Sequence, residues 1–258
     1  MNLEMRNVTV SVRGHDLLSD VSILLPAGSR TAVIGPNGAG KSTLLATLAG
    51  DVKPSAGEVR IGGEQIHLLS PRKLARTRSV LAQTHTTDVA FSVQQAVAMG
   101  RFPYRFDAGV SSEENRMAVD GAIADLDVES LRDRQVRSLS GGERQRTAIA
   151  RVLAQSTPIV LLDEPTTALD IRHQESVMAL VDRLHSQQRT IVAVLHDLNV
   201  VSHFDRVILL SRGTVAAQGK PADVLTSELL SSVYEYPIDV VPHPTDDRFL
   251  ILPQRRHP

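Results

Sequence analysis

Short apolar runs alternate with helix-periodic stretches along the chain. Residues 8–12 and 21–25 are short apolar or alternating runs joined by a polar turn around Gly14, and Ala27-Gly28 marks the next turn. Residues 31–34 have the β-branched content of a short buried strand and run straight into Gly35. Residues 42–48 then read as a helix closed by Gly50. A Pro/Gly turn at 53–57 precedes a strand at 59–61. Residues 70–76 predict a short helix with Pro71 at its first position, and residues 79–83 another strand.

The middle of the chain changes period. From 92 to 155 the apolar positions recur at helical spacing: Val93, Ala96, Val97 and Gly100, then residues 117–126, then 141–155. An irregular loop at about 101–110 carries Pro103, Tyr104, Phe106 and Gly109. This block predicts a helical subdomain inserted into an α/β core. Beyond it come a buried strand at 159–162, a helix at 172–187, a buried strand at 190–195 and a hairpin around Arg212-Gly213. Strands alternating with helices predict an α/β fold with a mixed, mostly parallel sheet covered on both faces. From Pro237 on, proline and charge leave the pattern least legible.

Composition narrows the possibilities. The 258 residues suit one domain with a sizeable insert. With 28 Lys plus Arg against 29 Asp plus Glu, the net charge of -1 gives no footprint for nucleic acid or an anionic surface. Cysteine is absent, which excludes disulfides, thiolate metal sites and Cys nucleophiles. Aromatics are 3% and Trp is absent, too few for a single-strand stacking platform. Apolar runs such as residues 191–195 stop at five residues, far from the roughly 20 that cross a bilayer. The N-terminus lacks a signal-peptide apolar stretch. The expectation is a soluble, cytoplasmic chain with a real core.

Three motifs carry chemistry. Gly35, Pro36, Asn37, Gly38, Ala39, Gly40, Lys41, Ser42 and Thr43 spell G-x-x-x-x-G-K-[ST], the phosphate-binding P-loop. Its glycines let successive backbone N–H groups converge on phosphate oxygens, Lys41 adds a point charge for the β and γ phosphates, and Ser42 offers a hydroxyl to Mg²⁺. The following helix start adds its partial positive charge. Residues 159–165 read I-V-L-L-D-E-P, a strand with two carboxylates at the end where α/β sheets bind ligands. Asp163 is placed to hold Mg²⁺ through water and Glu164 to polarise an attacking water. Residues 139–146 read L-S-G-G-E-R-Q-R: Ser140 is a plausible N-cap, and Gly141 and Gly142 bare their N–H groups, making a second anion-binding helix start. One nucleotide cannot easily use two such sites in one small domain. The second site then caps the nucleotide of another copy, which predicts a dimer with two ATP molecules at its interface.

In this order and spacing, the three motifs resemble the nucleotide-binding subunit of an ABC transporter over about residues 2–235. The resemblance implies an ABC ATPase: a P-loop NTPase core with an N-terminal antiparallel β region and an inserted α-helical subdomain. It implies a core of about 1–83 and 156–240, a helical subdomain of about 84–155 and a tail at 241–258. It makes Gln83 the glutamine that contacts Mg²⁺ and the membrane subunit, Ala168-Leu169-Asp170 the loop that crosses the dimer interface, and His196 the histidine on the γ-phosphate. Glu164, His196 and Lys41 would be catalytic; Ser42, Gln83 and Asp163 would hold the metal; Asp170 and the loop residues would line the ATP site. The chain departs from the family in one place: the early-loop position that often stacks an aromatic ring on adenine falls at about Val12, with no Tyr, Phe or Trp beside it.

The resemblance further implies a homodimer on two integral membrane permeases, indirectly a substrate-binding protein, and a peripheral position on the cytoplasmic face of the cell membrane. The stretches A-R-T-R-S-V-L-A-Q, A-F-S-V-Q-Q-A-V-A-M-G-R-F-P-Y and V-L-H-D-L-N resemble the importer group for hemin, ferric siderophores and cobalamin. Hemin is the first reading, ferric siderophore and cobalamin the alternatives. A soluble ABC-type ATPase acting on DNA or ribosomes is the rival class, but the coiled-coil insert, paired ATPase domains or basic patch it would carry are not in the sequence. Phe91, Phe102, Tyr104 and Phe106 cluster after Gln83 and read as a groove for a short helix of the membrane subunit.

Overall fold

The computed structural model describes residues 1–82, 90–105, 107–246 and 248–254. The chain opens with β1 (Leu3–Val12), β2 (His15–Leu25), β3 (Arg30–Ile34), α1 (Lys41–Ala49), β4 (Ala56–Ile61), β5 (Glu64–Gln65), α2 (Pro71–Thr77) and β6 (Arg78–Leu81). The helical stretch supplies α3 (Val93–Ala98), α4 (Ser112–Asp125) and α5 (Gly141–Ala154). Then come β7 (Ile159–Asp163), α6 (Ile171–Ser186), β8 (Thr190–Val194), β9 (Arg206–Ser211) and β10 (Thr214–Gly219). The chain closes with α7 (Pro221–Val224), α8 (Ser227–Tyr234), β11 (Ile238–Pro242) and β12 (Phe249–Pro253).

Contacts divide the chain into two compact units. The first holds residues 2–67 and 192–258, the second Met1 and residues 68–191. In the first unit β1 pairs antiparallel with both β2 and β4, giving the order β2-β1-β4-β5. Beside it β9 runs parallel to β3 and antiparallel to β10. The N-terminal strands are longer than the sequence pattern suggests. Asn7 and Asp20 sit at positive φ (46° and 50°) and break the alternation, hiding a ten- and an eleven-residue strand behind short runs. The two irregular residues bond across the pair, Asn7 Nδ2 to Asp20 Oδ1 at 2.9 Å.

In the second unit β6 and β7 pair in parallel, Arg78 opposite Ile159 through Leu81 opposite Leu162. All five residues of β7 are buried, which is why this strand reads as an unbroken apolar run. The helices are started by local chemistry. Ser92, Ser111 and Ser140 cap α3, α4 and α5, and each forms a reciprocal capping box with Gln95, Glu114 and Glu143. α6 starts on Asp170, whose carboxylate accepts the His173 N–H at 2.9 Å.

The stretch beyond Pro237 is a hairpin of β11 and β12, Ile238 opposite Pro253 through Pro242 opposite Phe249. It is tied to α8 by Ser227 and Ser231, whose hydroxyls accept the Val240 and Ile238 N–H groups at 2.8 Å. No described helix is long and apolar enough to cross a membrane.

Gly100 is fixed by close approach. A Cβ there would lie 2.3 Å from the Arg151 carbonyl oxygen of α5. Gly100→Ala forces the segment off α5 and should cost about 1–3 kcal/mol, read as a lower urea midpoint; an unchanged midpoint would show that this contact is not formed.

Candidate functional site

The first unit builds a cradle at the end of β3. Gly35 leaves the strand at φ 148°, and a Cβ there would sit 2.2 Å from the Leu210 carbonyl oxygen of β9, so only glycine fits. Gly40, at φ 98°, caps α1 against the Leu17 carbonyl, 2.7 Å from where a Cβ would be. Pro36 is half-buried, Asn37 and Gly38 are exposed, and Ala39 is buried. The Ala39 carbonyl accepts the Gly213 N–H of the β9–β10 turn at 3.1 Å. Lys41 is 6% exposed, and its Nζ donates to the Gly35 and Pro36 carbonyls at 2.8 and 2.9 Å, which holds the ammonium inside the loop. Ser42 is exposed on the first turn of α1, with Thr43 beside it half-buried. The arrangement can bind an anion: a lysine, a helix start without acidic residues and a glycine-lined turn converge on one place.

His196 lies in the same unit. The Leu195 N–H donates to the Val33 carbonyl at 3.1 Å, so β8 ends level with β3 and His196 follows at its exposed C-terminal end. Val12, opposite His15 in the β1–β2 register, is 50% exposed.

The second unit carries the acidic pair and the second helix start. Asp163, the last residue of β7, is 5% exposed. Glu164 turns out of the strand at φ 49°, a left-handed conformation that costs a non-glycine residue about 1–2 kcal/mol. Its Oε2 accepts from Thr167 Oγ1 at 3.1 Å. Gln145 of α5 donates from Nε2 to the Glu164 and Pro165 carbonyls at 3.1 and 3.2 Å, pinning this strained turn to the L-S-G-G-E-R-Q-R helix. At the other end of the motif, Ser140 Oγ accepts the Glu143 N–H at 3.3 Å, and the Glu143 carboxylate accepts the Ser140 N–H at 2.7 Å. That second bond, with the arginines Arg134 and Arg146, holds the Glu143 carboxyl below its ordinary pKa. Between the two bonded amides stand Gly141 and Gly142. The Cβ position of Gly142 is 3.2 Å from the Ala168 carbonyl oxygen, and that of Gly141 is 3.8 Å from Ala168 Cβ. Ser140, Gly141 and Gly142 are thus brought against the Ala168-Leu169-Asp170 turn. Asp170 is held below the ordinary carboxylate pKa first by the His173 backbone N–H and then by the His173 ring.

Gln83 lies outside the described residues. The aromatic cluster divides. Phe102 is 69% exposed and lines a groove of about 560 Å³ with Met99, Ala98 and Val119. Tyr104 is turned inward, its ring 4.0 Å from the Arg101 guanidinium and 5.1 Å from that of Arg76, its hydroxyl donating to the Gln155 carbonyl at 3.0 Å. Phe106 lies outside the described residues, and Phe91 is half-buried. The sequence reading missed Gln145 as the residue holding Glu164. No spacing rule links a helix glutamine to a carbonyl 19 residues on.

A model of the ABC transporter family matches residues 18–167. The chain is 44% identical over 261 residues to the hemin import ATP-binding protein HmuV of Nocardia farcinica, covering 99% of this chain and 90% of that protein. It is 38% identical to the iron(3+)-hydroxamate import ATP-binding protein FhuC of Bacillus subtilis, covering 92% and 88%. Among solved structures, a dimeric bacterial ABC transporter cassette is 31% identical with a TM-score of 0.78, covering 84% of this chain and 98% of that one. A dimeric post-hydrolysis cassette bound to ADP and Pi is 30% identical with a TM-score of 0.77 over the same shares.

Removing the Ser140 cap leaves the α5 start short of one acceptor. Ser140→Ala should lower stability by about 1 kcal/mol in chemical denaturation; no loss would show that the box is not formed in solution.

Proposed function

We propose that this chain, which belongs to the ABC transporter family, is the ATP-hydrolysing subunit that powers hemin import across the cytoplasmic membrane. The cargo is read from the relative at 44% identity over nearly the whole chain, whose own name is hemin import. Ferric hydroxamate is the second reading, favoured by the 38% identity to the iron(3+)-hydroxamate subunit. The ATPase reading rests above all on the residue 35–43 loop, where the buried Lys41 ammonium and a glycine-lined turn meet the start of α1.

In this reading the loop amides and Lys41 bind the β and γ phosphates. Ser42 offers an exposed hydroxyl oxygen and Asp163 a buried carboxylate, donors that suit a hard cation. Among the described residues no group of three or more His, Cys, Asp or Glu could hold a metal. That donor set fits a magnesium ion carried largely by the phosphates and met by Ser42, Asp163 and Gln83. When bound, Mg²⁺ would neutralise charge building on the transferred phosphoryl oxygens. Glu164 orients and polarises the attacking water, and the strained turn fixes its direction. His196 meets the γ-phosphate from the end of β8.

Two copies would sandwich two nucleotides. Ser140, Gly141 and Gly142 of one copy close on the nucleotide held by residues 35–43 of the other, with Asp170 at the interface between them. Val12 gives adenine a plain apolar contact in place of an aromatic ring. The core would span about 1–83 and 156–240, the helical subdomain 84–155 and the tail 241–258. As the ATP-binding subunit of an importer, the chain would be a peripheral partner of membrane permeases. Here two permeases would seat short helices in the Met99–Phe102 side of the groove, with a substrate-binding protein reached only through them and the chain on the cytoplasmic face of the membrane. The closed dimer favours ATP over ADP, and that difference in affinity drives the cycle.

Glu164→Gln should slow hydrolysis at least about a hundredfold and leave an ATP-dependent dimer on size-exclusion chromatography; a strict monomer with ATP would sink the two-site reading. In vesicles carrying its permease partners, the chain should drive ATP-dependent hemin accumulation, and Phe102→Asp should weaken its attachment about tenfold, the scale of one interface anchor. Accumulation of ferric hydroxamate instead would move the cargo to the second reading, and unchanged attachment would remove the groove.

A further inference from the structure

The C-terminal hairpin closes on the turn that carries His196. β8 ends at Val194, and the next amide, that of Leu195, is fixed to the Val33 carbonyl at 3.1 Å. Asp197 then caps a 3₁₀ helix (Leu198–His203), its carboxylate accepting the Asn199 N–H at 2.9 Å. Asn199 reaches the other way with its side chain, whose Oδ1 accepts the Ile251 N–H of β12 at 2.8 Å. At the far end of the 3₁₀ helix, Arg248 Nη1 donates to His203 Nε2 at 2.6 Å, and Asp246 orients that guanidinium by accepting from its Nε at 2.7 Å. Val201 and Phe204 of the same segment are buried. The hairpin is anchored in turn. Val240, opposite Ile251 in the register, donates its N–H to Ser227 of α8 at 2.8 Å, and Ile238 donates to Ser231 at 2.8 Å. Outward amides of both strands are thus taken by side chains: serines of α8 on one edge, Asn199 on the other.

We propose that Asn199 is a positioning residue for His196, and that the C-terminal hairpin braces the ATPase site through it. The proposal rests on reading His196 as the residue that meets the γ-phosphate. His196 stands directly after the anchored Leu195 amide and a few residues before Asn199. A turn fixed at one end alone keeps several backbone courses open, and each would carry the imidazole to a different place. Tying it at both ends selects one course, and a misplaced catalytic group loses rate steeply with distance. Position 199 also has to serve the hairpin. Ile251 is 5% exposed, and a buried backbone N–H needs an acceptor, which the Asn199 carboxamide supplies. The brace acts on a group at the γ-phosphate, whereas capture of the nucleotide falls to residues 35–43. Its loss therefore acts on turnover rather than on affinity.

Asn199→Ala removes the acceptor and leaves the backbone bond to Asp197 in place, while Asn199→Asp keeps an acceptor. One hydrogen bond sets the scale of the expected effect at about fivefold. In steady-state ATPase assays of the full chain, Asn199→Ala should lower kcat about fivefold with KM for ATP within about twofold, and Asn199→Asp should stay within about twofold in both. In hydrogen-exchange mass spectrometry, the peptides holding residues 195–203 and 249–253 should exchange faster in Asn199→Ala, with Tm within a few degrees. On a His196→Ala background, Asn199→Ala should add less than about twofold, because the residue it positions is gone. An unchanged kcat, an equal loss in Asn199→Asp, or a loss that recurs in full on the His196→Ala background would each overturn the proposal. Unchanged exchange would overturn it by showing that the bond holds nothing in solution. If His196→Ala alone turns over at the unsubstituted rate, the reading of His196 fails and takes the proposal with it, a result distinct from the others.

Discussion

β7 and β8 have no residue outside the core, and β3 only its first. A strand buried on both faces has nowhere along its length for a charged group to meet water, so polar function is confined to where the strand stops. Gly35 follows β3, Asp163 and Glu164 close β7, and His196 follows β8 by way of Leu195. At two of these ends the backbone turns through a left-handed conformation, at no steric cost for Gly35 and at some cost for Glu164. The cost at Glu164 is held in place by Gln145, which binds the two carbonyls at the turn. Within each unit, the polar groups at the strand ends thus depend for their place on the burial of the strand before them.

The same constraint explains what could be read from the sequence. A buried strand announces itself as an apolar run, and the residues at its end are the first to follow it, so residues 35–43, Asp163 and Glu164 stood out from the pattern, whereas His196 was singled out only through the family resemblance. Helix starts were legible because a capping box is a four-residue pattern, and Ser140 with Glu143 is one. The α/β class followed from alternation of strand and helix, the P-loop NTPase architecture from the resemblance carried by the motifs, and the family likeness agrees with both.

Long-range contacts and broken periods were not legible. β1 and β2 looked short because Asn7 and Asp20 interrupt the alternation. The hairpin after Pro237 was hidden because five-residue strands flanked by proline carry too little pattern. Tyr104 looked like surface aromatic area, yet two guanidinium groups and a helix-end carbonyl claim it. Gln145 acts on a backbone group 19 residues away, at Glu164, and no local rule points there.

The two ends of α5 are both committed. Its N-terminus presents Ser140, Gly141 and Gly142 beside the Ala168 turn, and Gln145, one turn in, holds Glu164. At its C-terminus the Ala154 carbonyl accepts from Arg101, the Gln155 carbonyl accepts from Tyr104, and the Gln155 side chain donates to the Ala75 and Arg78 carbonyls. Arg101 is also a wall of the apolar groove. Fourteen residues of helix make a rod of about 20 Å. Bonded at both ends and packed between, such a rod does not bend to absorb a displacement; it hands it on. A shift at the glycine pair would reach Arg101, and with it the groove wall, through its bond to the Ala154 carbonyl.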